Sequence, residues 1–185
     1  MKKILGFAFL LIGGACFSQQ QTQNIIVITT DGFRWQEVFK GMDTAIANSS
    51  EWNEGDSSYI YQQYWHPDPQ ERRKKLMPFL WSVISKKGQV FGNRELDCRM
   101  DNANPYWFSC PGYNEIFTGY PDTAVNSNSY PPNPHVTVLE FLNRQKGLQN
   151  RVAAFGAWEA FNRIINEERS GIPVIAGMDP TGGKT

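Results

Sequence analysis

Near the start of the chain, Asn24-Ile25-Ile26-Val27-Ile28-Thr29-Thr30 forms an apolar, β-branched run that ends at Asp31-Gly32. β-Branched side chains are stiff and favour extended backbone, and a run without polar alternation offers no face to water. The run predicts a strand buried on both faces, as in a parallel sheet covered by helices. In such sheets ligands gather at the carboxyl ends of the strands, where Asp31 stands. Asp31 is therefore a candidate metal or phosphate ligand; as one half of an Asp-Gly pair it is equally a turn residue.

Downstream, strand and helix signals alternate without tight hairpins, which predicts an α/β architecture around a parallel sheet. Residues 32–39 predict a short helix or turn. Residues 41–75, rich in Asn, Ser, Asp, Tyr and Trp, show little periodicity and predict a long excursion over the strand ends, with His66 as a turn residue. Residues 70–87 predict a helix with Leu76, Phe79, Leu80, Val83 and Ile84 on its apolar face, Arg72 to Lys75 in its solvated first turns, and Gly88 as its stop. Residues 89–93 predict a short strand. Val138, Leu139, Phe141 and Leu142 mark an amphipathic helix over 136–146, closed by Gly147. Residues 151–156 predict the next strand, followed by a helix carrying Trp158, Phe161, Ile164 and Ile165.

The stretch between these halves is Asn104-Pro105-Tyr106-Trp107-Phe108-Ser109-Cys110-Pro111-Gly112-Tyr113-Asn114-Glu115-Ile116-Phe117-Thr118-Gly119. Pro111 fits the first turn of a helix, where its missing N–H costs nothing, and Gly119 fits its end. Ile116 and Phe117 are expected to turn inward. Ser109 then lies beside the free N–H groups of a helix N-terminus, which favour negative charge. Two readings follow: a serine that caps the helix, or a nucleophile that attacks an anion. Residues 120–134, crowded with Pro, Asn and Ser, predict irregular structure. In it, Asn126 and Asn128 are either turn formers or neutral donors within reach of an anionic oxygen near Ser109.

Charge excludes some partners. The 185 residues carry 18 basic and 18 acidic side chains. The only basic run, Arg72 to Lys75, belongs to the predicted helix, so no nucleic acid polymer is expected as a partner. Lys2 and Lys3 followed by a short apolar run predict a signal peptide over 1–18, too short to be a transmembrane segment. The protein is expected to be periplasmic or secreted; lipoprotein anchoring through Cys16 is the alternative. Cys98 and Cys110 then face an oxidising compartment, either bridged or as two free thiols. The ending at 177–185 resembles a phosphate-binding loop, but Met178 stands where that loop requires glycine.

The string Asp31-Gly32-Phe33-Arg34-Trp35-Gln36-Glu37-Val38-Phe39, paired with Asn104 to Gly119, resembles the alkaline phosphatase superfamily. That superfamily includes metal-dependent phosphatases, phosphodiesterases, sulfatases and cofactor-independent phosphoglycerate mutases. The likeness is greatest to a secreted bacterial branch labelled phosphoglyceromutase or alkaline phosphatase-like, and it runs from about Asn24 to about Gly177. It implies a parallel-sheet α/β/α sandwich of the alkaline phosphatase type, with residues 24–185 as the N-terminal portion of the catalytic domain, incomplete at the C-terminus.

The resemblance further implies hydrolysis of phosphoric esters on a small phosphorylated substrate. Ser109 would be the nucleophile and a metal ligand, Asp31 a second ligand, and Asn128 or Asn126 a holder of a phosphate oxygen. Two divalent metal ions are implied, with Zn ahead of Mn or Mg. A sulfatase-like activity is disfavoured because Tyr113 replaces the arginine of the sulfatase motif, and Cys110 is off register. A phosphoglycerate mutase-like activity fits a secreted protein poorly. His135 is the only histidine after Ser109, so the expected Asp and His ligands of a second metal are missing and a fragment inactive alone is expected. The rival from another class is a non-catalytic secreted ligand-binding module built on the aromatic loops.

Overall fold

The computed structural model describes residues 22–177; the expected leader at 1–18, Cys16 and the Gly-Lys-Thr ending lie outside the described residues. The chain divides into two units after Thr30. In the first, residues 22–30 are extended backbone without a regular element. Ile26 and Ile28 are 82% and 81% exposed, so the expected doubly buried strand is not formed among the described residues. A parallel strand needs partners at its edges and helices on its faces. Those contacts are remote in sequence, and the β-branched run cannot supply them by itself.

The second unit starts at Asp31 and opens with four short helices. α1 (Trp35–Lys40) ends in carbonyls that side chains from elsewhere satisfy. Trp81 Nε1 donates to Val38 O at 2.9 Å, Arg72 Nε to Lys40 O at 2.8 Å, and Arg73 Nη1 more weakly to Phe39 O at 3.5 Å. Two guanidinium cations at the negative end of a helix add to these bonds. The approach is close because Gly41 has no side chain. At φ 77° a Cβ there would lie 2.5 Å from the Arg72 and Arg73 backbone.

The expected irregular excursion at 41–75 is largely helical. α2 (Thr44–Ala47) is capped by Asp43, whose carboxylate accepts the Ala45 N–H at 2.8 Å. α3 (Ser57–Tyr64) follows, and α4 (Pro69–Leu76) is capped by Asp68 with Pro69 in its first turn. The local signal was the cap, since Asp-Pro before a charged run opens a helix without an apolar stripe. The continuous helix expected over 70–87 breaks at Met77 (φ −132°, ψ 67°). Pro78 drives the residue before it out of the helical region. Winding resumes as a π-helical turn, Leu80–Ile84, running into α5 (Ser85–Lys87). The strand expected at 89–93 is irregular and leads into a 3₁₀ turn, Arg94–Leu96.

α6 (Ser109–Thr118) ends at Gly119, whose left-handed backbone (φ 69°) donates to Glu115 O at 2.8 Å as expected of a glycine stop. α7 (Val138–Asn143) starts at Thr137, whose hydroxyl accepts the Glu140 N–H. β1 (Ala154–Gly156) and β2 (Val174–Ala176) then pair in parallel, in register Ala154 with Val174. The crossover between them carries α8 (Phe161–Ile165) and α9 (Glu167–Ser170). The second unit is thus broadly α/β, with strand limited to this one pair among the described residues. No described helix is long and apolar enough to cross a membrane.

Cys110, Tyr113 and Phe117 of α6 pack on Ala160, Ile164, Ile165, Ile172, Val174 and Ala176. Their spacing of three and four residues makes one helical face. Ile116, expected to turn inward, lies off that face and is 51% exposed. Each large apolar side chain buried here contributes about 1.5–3 kcal/mol, so this cluster fixes α6 against the strand–helix–strand unit.

Gly41→Ala is expected to destabilise the protein by about 2 kcal/mol or more in urea denaturation, through strain and overlap with α4. Gly55→Ala is the control, because Gly55 has a similar φ of 88° but open space around it. A smaller loss there isolates the helix contact from backbone strain.

Candidate active site

The residue that caps α6 is Phe108 (φ −124°, ψ 147°), which has no side-chain oxygen to offer. Ser109 is the first helical residue, so it does not cap the helix. The capping oxygen comes from Asn128, eighteen residues beyond Cys110, whose Oδ1 accepts the Cys110 N–H at 3.0 Å. An acceptor at the second helical N–H is what a local Ser or Asp usually supplies. The Ser109 hydroxyl makes no hydrogen bond among the described residues and is half-buried.

Three sets of bonds fix this arrangement. Glu115, on the outer side of α6, accepts the Ala103 N–H at 2.6 Å and both the N–H and side-chain amide of Asn104 at 2.9 Å. Asn104 Oδ1 in turn accepts the Tyr106 N–H, and the Tyr106 hydroxyl donates to Thr123 O at 2.7 Å. Thus the approach to Ser109 is tied both to its own helix and to the loop beyond it. On α8, Arg163 donates to Tyr130 O at 2.6 Å and to Asn128 O at 3.3 Å. Asp122 and His135, joined Oδ2 to Nε2 at 2.6 Å, clip together the two ends of the loop that carries Asn128.

The charges around the helix start are uneven. Burial pushes the Cys110 thiol up, with the Arg163 cation opposing, so Cys110 stays neutral and turned into the core. Cys98 and Cys110 are both free thiols. Burial raises the Glu115 carboxyl, but the Ala103 and Asn104 donors outweigh it and hold the group below its ordinary 4.5. The His135 contact, then the Ala124 N–H, likewise hold Asp122 low.

Other expected site residues fall elsewhere. Asn126 is exposed and makes no hydrogen bond among the described residues. Asp31 lies in an exposed turn with Gly32. Gly32 borders an open groove of 920 Å³ whose walls come from residues 32–77 and include neither Ser109 nor Asn128. His66 is a turn residue, as expected, its Nδ1 accepting the Asp68 N–H at 3.1 Å.

Asp31 and Ser109 offer hard oxygen donors of the kind a divalent ion takes. Yet the described residues hold no cluster of three or more His, Cys, Asp and Glu side chains suited to a metal. Structural and catalytic ions take at least three protein ligands or several more oxygens, so these two donors alone do not fit a two-metal centre.

Sequence reasoning missed Glu115 and Arg163. Glu115 passes for one more charged residue on a helix surface, and its partners Ala103 and Asn104 are marked only by lying just outside the helix. Arg163 sits among apolar positions, and nothing local predicts what its side chain reaches. No family model matches the chain, and neither a curated protein nor a solved structure matches it.

Glu115→Gln tests the brace directly. A carboxylate held low contributes stability that is present above its unfolded value near 4.5 and is lost as pH falls through the lower folded value. The variant is expected to be less stable at neutral pH by about 1 kcal/mol after solvent screening. That difference should shrink as denaturation is repeated at pH values below the unfolded one.

Proposed function

We propose that the chain is the N-terminal portion of a periplasmic or secreted hydrolase of phosphoric esters, of the phosphatase or phosphodiesterase type. Its fold would be the α/β/α sandwich of alkaline phosphatases. One observation supports this above all: Asn128 has taken over the capping of α6, which leaves the Ser109 hydroxyl without a structural task at the positive end of a helix.

On this reading Ser109 Oγ attacks phosphorus in a small phosphorylated substrate. The Oγ–P bond forms as the ester P–O bond breaks, the serine proton passes to a base, and the departing oxygen takes a proton from water. Water then attacks the same phosphorus as the Oγ–P bond breaks, its proton passing to Oγ, so that the phosphate or phosphate monoester leaves and the serine hydroxyl is restored. The side-chain N–H₂ of Asn128 makes no hydrogen bond among the described residues, and would hold a phosphoryl oxygen beside the Ser109 N–H; of the next helix-start N–H groups, that of Cys110 is bound to Asn128 and Pro111 has none. The family resemblance adds two divalent metal ions, Zn ahead of Mn or Mg; Asp31 and Ser109 would each give one oxygen to such ions, which would need further ligands that the described residues do not group together. Such ions would supply charge neutralisation and a lower hydroxyl pKa.

In the native protein containing this sequence, Ser109→Ala is expected to lower kcat for p-nitrophenyl phosphate and bis-p-nitrophenyl phosphate by about 10³-fold or more. Undiminished turnover would show that another group is the nucleophile. The rival reading, a non-catalytic secreted binding module, draws on Trp107, 99% exposed beside the same helix end. It expects no phosphoester turnover in either protein, and calorimetric binding of a glycan or nucleotide that Trp107→Ala abolishes.

A further inference from the structure

We infer that Arg163 is a positioning residue of this site, setting Asn128 against the start of the helix that carries Ser109. The inference concerns a residue outside the proposed reaction's own groups, and its kinetic readout rests on that proposed function.

Arg163 has no carboxylate partner among the described residues, which is unusual for a half-buried guanidinium. It spends its two terminal nitrogens on main-chain carbonyls instead, Nη1 on Tyr130 and Nη2 on Asn128. These two carbonyls flank Ser129, so one rigid fork fixes the local course of the loop. Once the Asn128 backbone is fixed, its side chain reaches the Cys110 N–H. The Arg163 main chain does the complementary task, its carbonyl accepting the Asn133 N–H at 2.8 Å further along the same loop. Arg163 therefore grips residues 128–133 at three points from a helix packed in the core.

The geometry asks for a planar fork. Lysine carries the same charge but presents a single ammonium, which cannot span two carbonyls in fixed directions. This separates positioning from simple attraction of an anion, because an attractive charge works equally well as lysine.

The test uses the native protein with p-nitrophenyl phosphate as probe, together with hydrogen exchange at the Cys110 amide. Arg163→Met is expected to lower kcat about tenfold with a smaller change in KM, and to speed Cys110 exchange about tenfold relative to amides at the far end of the same helix. Arg163→Lys should show nearly the same losses. In an Asn128→Ala background, Arg163→Met should add little, since both changes remove one arrangement. Full recovery by lysine, or equal losses with and without Asn128, would overturn the inference. Should Arg163→Met fail to fold, the lysine variant still decides by both readouts. If the unaltered protein turned over no phosphoester, the proposed function would fail, while Cys110 exchange in the two Arg163 variants would still judge the positioning role.

Discussion

Asn133 is the joint on which the C-terminal part of the structure depends. Its side-chain amide is almost fully buried and donates both to Asn114 Oδ1 on α6 and to Ile164 O on α8. Its Oδ1 accepts the His135 N–H, and its main-chain carbonyl accepts from Asn166 and Arg169. A buried amide with every group paired contributes only modestly in net terms, whereas each partner left unpaired costs about 1–3 kcal/mol. The joint is therefore strong through what its loss would expose. It also explains how a loop of prolines and asparagines becomes ordered: the loop's polar groups are bound inside, so it need not bury much apolar surface.

A second buried group extends the same logic. The Glu140 carboxylate has no exposure and sits between Arg144 and Arg169. Arg169 does more than neutralise it, since the same guanidinium reaches Asn133 O at 2.7 Å and His135 O at 2.5 Å. Desolvating the Glu140 carboxylate is costly, and attraction to the two partly exposed guanidiniums repays it only where its oxygens are well paired. Here the spare donors of Arg169 go to the very loop that Asn133 anchors. The buried Glu140 charge on α7, its Arg169 partner on α9 and the placement of Asn128 at α6 are thus parts of one polar network around an apolar core.

This explains what the sequence made legible. The extent of α6 was readable because its signals are local, Pro111 in the first turn and Gly119 at the end, while its inward face (Ile116 is exposed) and its cap were not. The first strand of the crossover and the helix after it were readable for the same reason, from Val152 to Ile165, whereas β2 (Val174–Ala176) was not read. The run from Ile25 to Ile28 has equally strong local chemistry, but a strand is completed by remote partners, and none forms among the described residues. The break at Met77 was local too, written in Pro78, and the apolar periodicity on either side concealed it. At the candidate site, Ser109 and Asn128 were singled out by residue type. The capping bond that relates them spans a loop, and Arg163, which holds that loop, has no signature in its neighbours.

The energetics of the helix end limit what it can do for a serine. A helix N-terminus stabilises a nearby negative charge by about 0.3–1 kcal/mol at an exposed surface and about 2 kcal/mol when partly buried. Ionising a hydroxyl at neutral pH is a larger task. Bringing bound water from 15.7 to about 7 is a change of about 12 kcal/mol at 1.36 kcal/mol per unit. The helix start and Asn128 together fall several kcal/mol short. Their contribution on the proposed reading is therefore orientation and charge acceptance: they hold Ser109 free of other bonds and meet the phosphoryl oxygens as charge develops there. On the proposed reading, activation of the hydroxyl is therefore a task for groups other than the helix start and Asn128, whose part is to orient Ser109 and accept charge.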